Sequence, residues 1–163
     1  MSVKAAIDPA LERDARDLYA ALTDLVRVYQ FRDRNLICCH DISVTQCYAL
    51  DALLRGGTMT LGSLAQTLML DKSTTSRVVE TLERKGHLKR TVHPSDARAV
   101  QLSPTSRGRA LHETIRRDML DEERGIIADL DPAVRRAAVD VIRQLGVLAA
   151  KKRGCCGPEG CES

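Results

Sequence analysis

Three groups of side chains in this 163-residue chain are of types, and at spacings, that could do chemistry. The first is the segment KSTTSRVVETLERKG, Lys72–Gly86, in which short hydroxyls and cations are interleaved with an apolar repeat. Lys72, Ser73, Thr74, Ser76 and Arg77 would share the exposed face of a helix, where hydroxyls can bond base edges or phosphates. An arginine there can fork onto the O6 and N7 of a guanine. The second group is Cys38-Cys39-His40 with Cys47, and the third is Cys155, Cys156 and Cys161 in the tail GCCGPEGC. Structural disulfides are not expected in a reducing compartment, whereas thiolates select soft ions.

Three readings of the cysteines stay open at this stage. Cys38, Cys39 and Cys47, with His40 or a tail thiol, could bind a soft metal or metalloid, arsenite-like or Zn-like. One thiol of low pKa with a resolving partner could sense oxidants; Cys47, in the first turn of a helix, is where amide dipoles would lower a thiol's pKa. Or Cys38, Cys39 and Cys47 are small buried hydrophobes, and an organic molecule is the effector. No cofactor is certain on any of these readings.

The elements that position these groups follow from periodicity. In TLGSLAQTL, Leu61, Leu64, Ala65 and Leu68 fall at i, i+3, i+4 and i+7, and Thr75, Val78, Val79 and Leu82 repeat that spacing. A turn at 69–71 separates the two helices, and Gly86 stands where a left-handed helix-ending residue is wanted. HLKRTVHPSDARAVQLS then reads as a hairpin, with Leu88, Val92, Val100 and Leu102 alternating and a turn-rich tip. Helices flank this segment on both sides. Asp8–Pro9 starts one whose stripe is Leu11, Ala15, Leu18, Leu22, Leu25 and Tyr29. Ser43 and Gln46 have capping-box spacing for a helix over 44–55. A long helix is expected from about 104 to 129, and Asp131–Pro132 restarts the chain with Val134, Ala138, Val141, Leu145 and Leu148 on one face. The fold class is therefore mostly α with a small β-wing: a winged helix-turn-helix between N- and C-terminal dimerisation helices. The divisions are 1–57, 58–108, 109–150 and a Cys-rich tail, 151–163, within a single domain.

Helix, helix and wing in this order resemble the MarR family of bacterial transcriptional regulators. The pieces that carry the resemblance are LAQTLMLDKSTTSRVVETLERKGHLKR and HPSDARAVQLSPTSRG, the latter with Asp96 and Arg98 before a strand and Thr105-x-x-Gly108 at a helix start. His93, where the family usually has an acidic residue, and Pro104, where it has an apolar one, depart from the pattern. The resemblance implies a two-fold dimer, with the Cys38–Cys47 region beside the dimer interface and inducer pocket. It also implies that Arg98 contacts the minor groove or its phosphates, with Asp96 orienting it. Ser63 and Gln66 could touch the DNA backbone. A dimer would set two recognition helices about 34 Å apart to read a pseudo-palindrome in double-stranded DNA.

Composition agrees and excludes other classes. Between Lys72 and Arg109 nine cations face three carboxylates, a surplus of six, so the rest of a chain of net charge +3 is at −3. A basic face on a mildly acidic body suits phosphate binding. Aromatic residues are 2% and Trp is missing, which speaks against stacking on single strands. No Gly-rich phosphate loop, HExxH or GxSxG is present, so an enzyme is not expected. No apolar run reaches about 18 residues, and the charged start is unlike a signal peptide, so the expected place is the cytosol, with no membrane partner. The function expected is a homodimeric repressor released from DNA by a thiol-bound metal or metalloid. An organic-acid inducer, or a cysteine-oxidation switch, is the alternative within the class; a DNA-packaging or protein-contact winged helix is the alternative outside it.

Overall fold

The structure is a computed structural model that describes residues 8–93 and 96–152, and for 93 and 96–99 the backbone alone. The described residues form six helices and three strands. Helix α1 (Pro9–Cys38) starts where Asp8 accepts from the Ala10 amide at 3.0 Å. Helix α2 (Val44–Gly56) carries the full capping box: Gln46 N donates to Ser43 Oγ and Ser43 N to Gln46 Oε1. After β1 (Met59–Thr60) come α3 (Leu61–Leu68) and α4 (Lys72–Arg84), joined through Met69, a non-glycine residue at φ 54°. Strands β2 (Leu88–His93) and β3 (Asp96–Pro104) form the hairpin, and α5 (Ser106–Ile127) and α6 (Pro132–Lys152) are the last of the described elements. The sheet is antiparallel in the order β1-β3-β2, with Met59 opposite Leu102 and Leu88 opposite Pro104. That last pairing explains why α5 begins later than the expected 104: Pro104 is still strand, and Thr105 accepts from the Gly108 and Arg109 amides to start the helix.

The chain forms two compact units, Met1–Met119 and Leu120–Ser163. The first has the core. Ile37, Leu50, Leu53, Leu64, Leu82, Leu102 and Ile115 are all under 2% exposed, and α2, with five buried residues, runs through their midst. Each such side chain contributes roughly 1.5–3 kcal/mol by leaving water. The apolar faces expected for α3 and α4 are the faces that pack here: Leu64, Ala65, Thr75, Val79 and Leu82 are buried. The wing differs from expectation. Val92 and Val100 pair across the hairpin but remain 63% and 45% exposed, because beyond Leu88 and Leu102 the two strands leave the body.

The terminal helices contrast with this. Of the 30 residues of α1 only Ile37 is buried, and Leu11, Leu18, Leu22 and Leu25 of its stripe are exposed. In the second unit, α6 has no buried residue, and Val134, Val141 and Leu148 are each more than half exposed. Among the described residues no helix is long and apolar enough to cross a membrane.

Candidate nucleic-acid interface

The N-terminus of α4 is organised by Asp71, the last residue of the 69–71 turn and the N-cap of the helix. Its carboxylate accepts from the Thr74 amide, from Thr74 Oγ1 and from Ser73 Oγ, each at 2.7 Å. The Thr74 bonds first, then those from Ser73, hold the Asp71 carboxyl well below the usual carboxylate range. The N-cap preference for Asp before a helix was the available signal. One turn on, Ser76 Oγ donates to Glu80 Oε1 at 3.0 Å. All three hydroxyls of the exposed face thus have their protons directed to carboxylates of the same chain. What they offer outward is acceptor lone pairs, which suit the amino groups of adenine and cytosine in a major groove better than phosphate oxygens.

Lys72 and Arg77 stand exposed beside these hydroxyls, with no ion pair among the described residues. Two other cations of the basic segment are engaged: Arg90 pairs with Glu83 at 3.0 Å and Lys85 with Asp41 at 3.0 Å. The basic surplus therefore falls on a smaller set than the count of nine suggested. Ser63 and Gln66 are exposed on α3, and Ser63 Oγ lies 3.0 Å from Thr60 Oγ1 at the helix cap. Arg98 lies on β3, but its side chain and those of Asp96 and His93 are outside the described residues.

The base of the wing is tied to α5 through the Thr105-x-x-Gly108 pattern. Thr105 Oγ1 donates to Gly86 O at 2.7 Å and accepts from Gly108 N at 3.1 Å, while Thr105 N donates to His87 O at 3.1 Å. Gly86 is left-handed at φ 75°, as expected. Gly108 packs so closely that a Cβ there would collide with the His87 carbonyl oxygen. His87 is 7% exposed, and its Nδ1 has no hydrogen-bond partner among the described residues. Burial first, then Arg107 and Lys85, lower its pKa.

The cysteines separate. Cys38 and Cys39 are exposed at the end of α1, and both Sγ atoms donate to Asn35 O, at 3.3 and 3.2 Å. Cys47 is 5% exposed within the core. Its thiol is pushed up to about 11, by burial first and then by Asp51 and Asp33. This corrects the expectation of a lowered pKa: desolvation and two carboxylates outweigh the amide dipoles of the first turn. Among the described residues no three Cys, His, Asp or Glu converge on one point as metal ligands. His40, which adjoins the thiols in the sequence, has Nε2 3.1 Å from Asp118 Oδ2 on α5. Cys155, Cys156 and Cys161 lie outside the described residues. An open cleft of about 510 Å³ lies beside α2 and α3, lined by Tyr48, Asp51, Arg55, Met59, Thr67 and Leu68.

Two helices joined by a tight turn, the second with a polar, cationic outer face, and a three-stranded sheet drawn out into a hairpin define a winged helix-turn-helix. Comparison with known proteins agrees. The MarR family model matches residues 40–99. An HTH-type transcriptional regulator of Mycobacterium tuberculosis is 30% identical over 141 residues, 83% of this chain and 96% of that one. Another, of Mycobacterium leprae, is 34% identical over 110 residues, 66% and 74% of the two chains. A MarR family protein from Bacillus stearothermophilus superposes with a TM-score of 0.79 at 22% identity, over 85% of this chain and 97% of that one. A MepR mutant of S. aureus bound to an oligodeoxyribonucleotide does so at 0.60 and 21% identity, over 80% and 97%. The chain belongs to the MarR family: it is a transcriptional regulator and not an enzyme.

Proposed function

We infer that the protein is a homodimeric repressor that reads a pseudo-palindromic operator in double-stranded DNA and is released by a ligand bound to its thiols. The observation that carries the DNA reading is the outer face of α4, where Lys72 and Arg77, without an ion pair among the described residues, stand beside Ser73, Thr74 and Ser76 turned outward as acceptors. Arg77 reads a guanine, the hydroxyls read amino groups, and Lys72 meets a phosphate. Ser63 and Gln66 touch the backbone, and Arg98 holds the wing on the minor-groove side. The exposed stripes of α1 and α6 are the surfaces a second copy would cover, setting the two α4 helices one DNA turn apart.

The thiol input is supported over an organic acid by the cleft beside α2. Its one cation, Arg55, is already paired with Asp51 at 2.9 Å, so a carboxylate ligand would have to displace a partner. An oxidation switch centred on Cys47 has against it a buried, protonated thiol.

The test is a footprint followed by binding titrations. Arg77→Ala is expected to cost about 1–3 kcal/mol on the operator and much less on random DNA, since one bidentate base contact is lost. Arg98→Ala should weaken both alike and reduce the salt slope by about one phosphate contact. An operator-to-random ratio unchanged by Arg77→Ala would refute the readout assignment. A uniform footprint on any DNA would favour the packaging reading instead.

A further inference from the structure

We propose that Cys38 and Cys39 are a two-thiol site for trivalent organoarsenicals of the type R–As=O, coupled to α4 through Asp41 and Lys85. This rests on the reading of the chain as a thiol-responsive regulator and names the input of that switch. Because the two sulfurs lie 3.3 and 3.2 Å from the same Asn35 oxygen, they are no more than 6.5 Å apart, and both face solvent. They share one acceptor, and neither belongs to the buried core cluster. A three-thiolate ligand set finds no third member among the described residues, since Cys47 is in the core. The ligand that fits is one needing two thiolates and carrying its own third substituent. In the reaction two S–H protons and the oxide oxygen leave as one water, two S–As bonds replace the As=O bond, and arsenic stays trivalent.

The path to α4 is short. The site lies between two buried anchors, Ile37 and Ile42, at 0% and 4% exposure. The two residues after Cys39 are each tied to a different helix. His40 Nε2 is 3.1 Å from Asp118 Oδ2 on α5. Asp41, left-handed at φ 58°, is bound by Lys85 through both its carboxylate and its carbonyl oxygen. Lys85 is the C-cap residue of α4. Drawing Sγ of Cys38 and Sγ of Cys39 onto one arsenic breaks both bonds to Asn35 O and turns the backbone at Cys39–His40. With Ile37 and Ile42 fixed, that turn is passed to Asp41 and from there to the end of the helix that faces DNA.

The experiment uses phenylarsine oxide on the full chain with Cys155, Cys156 and Cys161 changed to Ser, read by intact mass and by operator binding. One phenylarsenic adduct per chain is expected, retained in Cys47→Ala and lost in Cys38→Ser and in Cys39→Ser. No adduct, or one that survives Cys38→Ser, overturns the site. Operator affinity should fall by about tenfold on adduct formation, an ordinary coupling between two sites. In Lys85→Met the adduct should form while this loss shrinks; an undiminished loss overturns the coupling. Amide exchange across 79–85 reads the same coupling without DNA: it should rise with the adduct, and an unchanged pattern overturns it. A chain that takes up the reagent, and exchanges faster at 79–85, but binds no operator would leave this inference standing and sink the DNA reading.

Discussion

Helices α4 and α6 are both amphipathic, yet α4 buries Thr75, Val79 and Leu82 within its own chain while α6 buries nothing. The difference does not come from a lack of apolar residues: Val134, Val139, Val141, Ile142, Val147 and Leu148 of α6 are all exposed. It comes from what lies opposite. The apolar face of α4 meets the core built around α2, and the hydroxyls of its polar face are satisfied by Asp71 and Glu80. The apolar face of α6 is left to water, a state that contiguous apolar surface rarely keeps in a stable protein. One helix is finished by folding; the other, on the proposed reading, is finished by a second copy.

The largest effect that could break this contrast is a pair of substitutions. Leu64→Ala removes a fully buried side chain and should cost about 2–5 kcal/mol in urea unfolding, at any protein concentration. Ile142→Glu, at a 58% exposed position, should cost little within the chain but shift sedimentation from dimer to monomer. If Ile142→Glu left the dimer intact, α6 would have no part in the interface, and its apolar face would need another partner.

Glycines sharpen the same contrast. Gly108→Ala drives a methyl into the His87 carbonyl at the root of the wing and should cost about 3 kcal/mol, the upper end for overpacking. Gly146→Ala in α6 meets nothing within 4 Å and should instead stabilise by about 1 kcal/mol, the ordinary helix gain. Both are read from urea midpoints. A loss on Gly146→Ala that vanished on dilution would mean that a partner packs against Gly146 itself.

What was legible in the sequence follows the same division. The winged helix was readable because its signals are local: the i, i+3, i+4 spacing of Leu61, Leu64 and Ala65 and the left-handed Gly86. The reach of the hairpin was not, because alternation in Val92 and Val100 says which residues pair but not where the sheet leaves the body. The candidate site was legible in its side-chain types but not in its hydrogen bonds. Nothing in the spacing of Ser73, Thr74 and Ser76 shows that carboxylates hold their protons, although Asp71 was open to recognition as a cap. The cysteines were least legible. Burial of Cys47 against Asp51 and Asp33 depends on how α2 packs, and adjacency in sequence could not separate it from Cys38 and Cys39.

The smallest predicted effect belongs to His87 and is confined to the unit with a core. Burial, Arg107 and Lys85 all favour its neutral form, and Asp41, which opposes them, is outweighed, so its pKa in the fold lies below the ordinary value of about 6.5. In the unfolded chain it takes up a proton nearer that ordinary value. As pH falls below about 6.5 the unfolded state therefore binds more protons than the folded one, and stability declines. The contribution is fully present above that pH and lost below it. Urea midpoints of the wild type should fall from about pH 7.5 to about pH 5.5, and His87→Leu should flatten that part of the fall. Amide exchange should place the acid loosening at the root of the wing, around 86–88 and 105–108, and leave 132–152 unchanged. An equal fall in His87→Leu would assign the pH dependence elsewhere, and loosening that began in 132–152 would mean that acid acts first on assembly rather than on the wing.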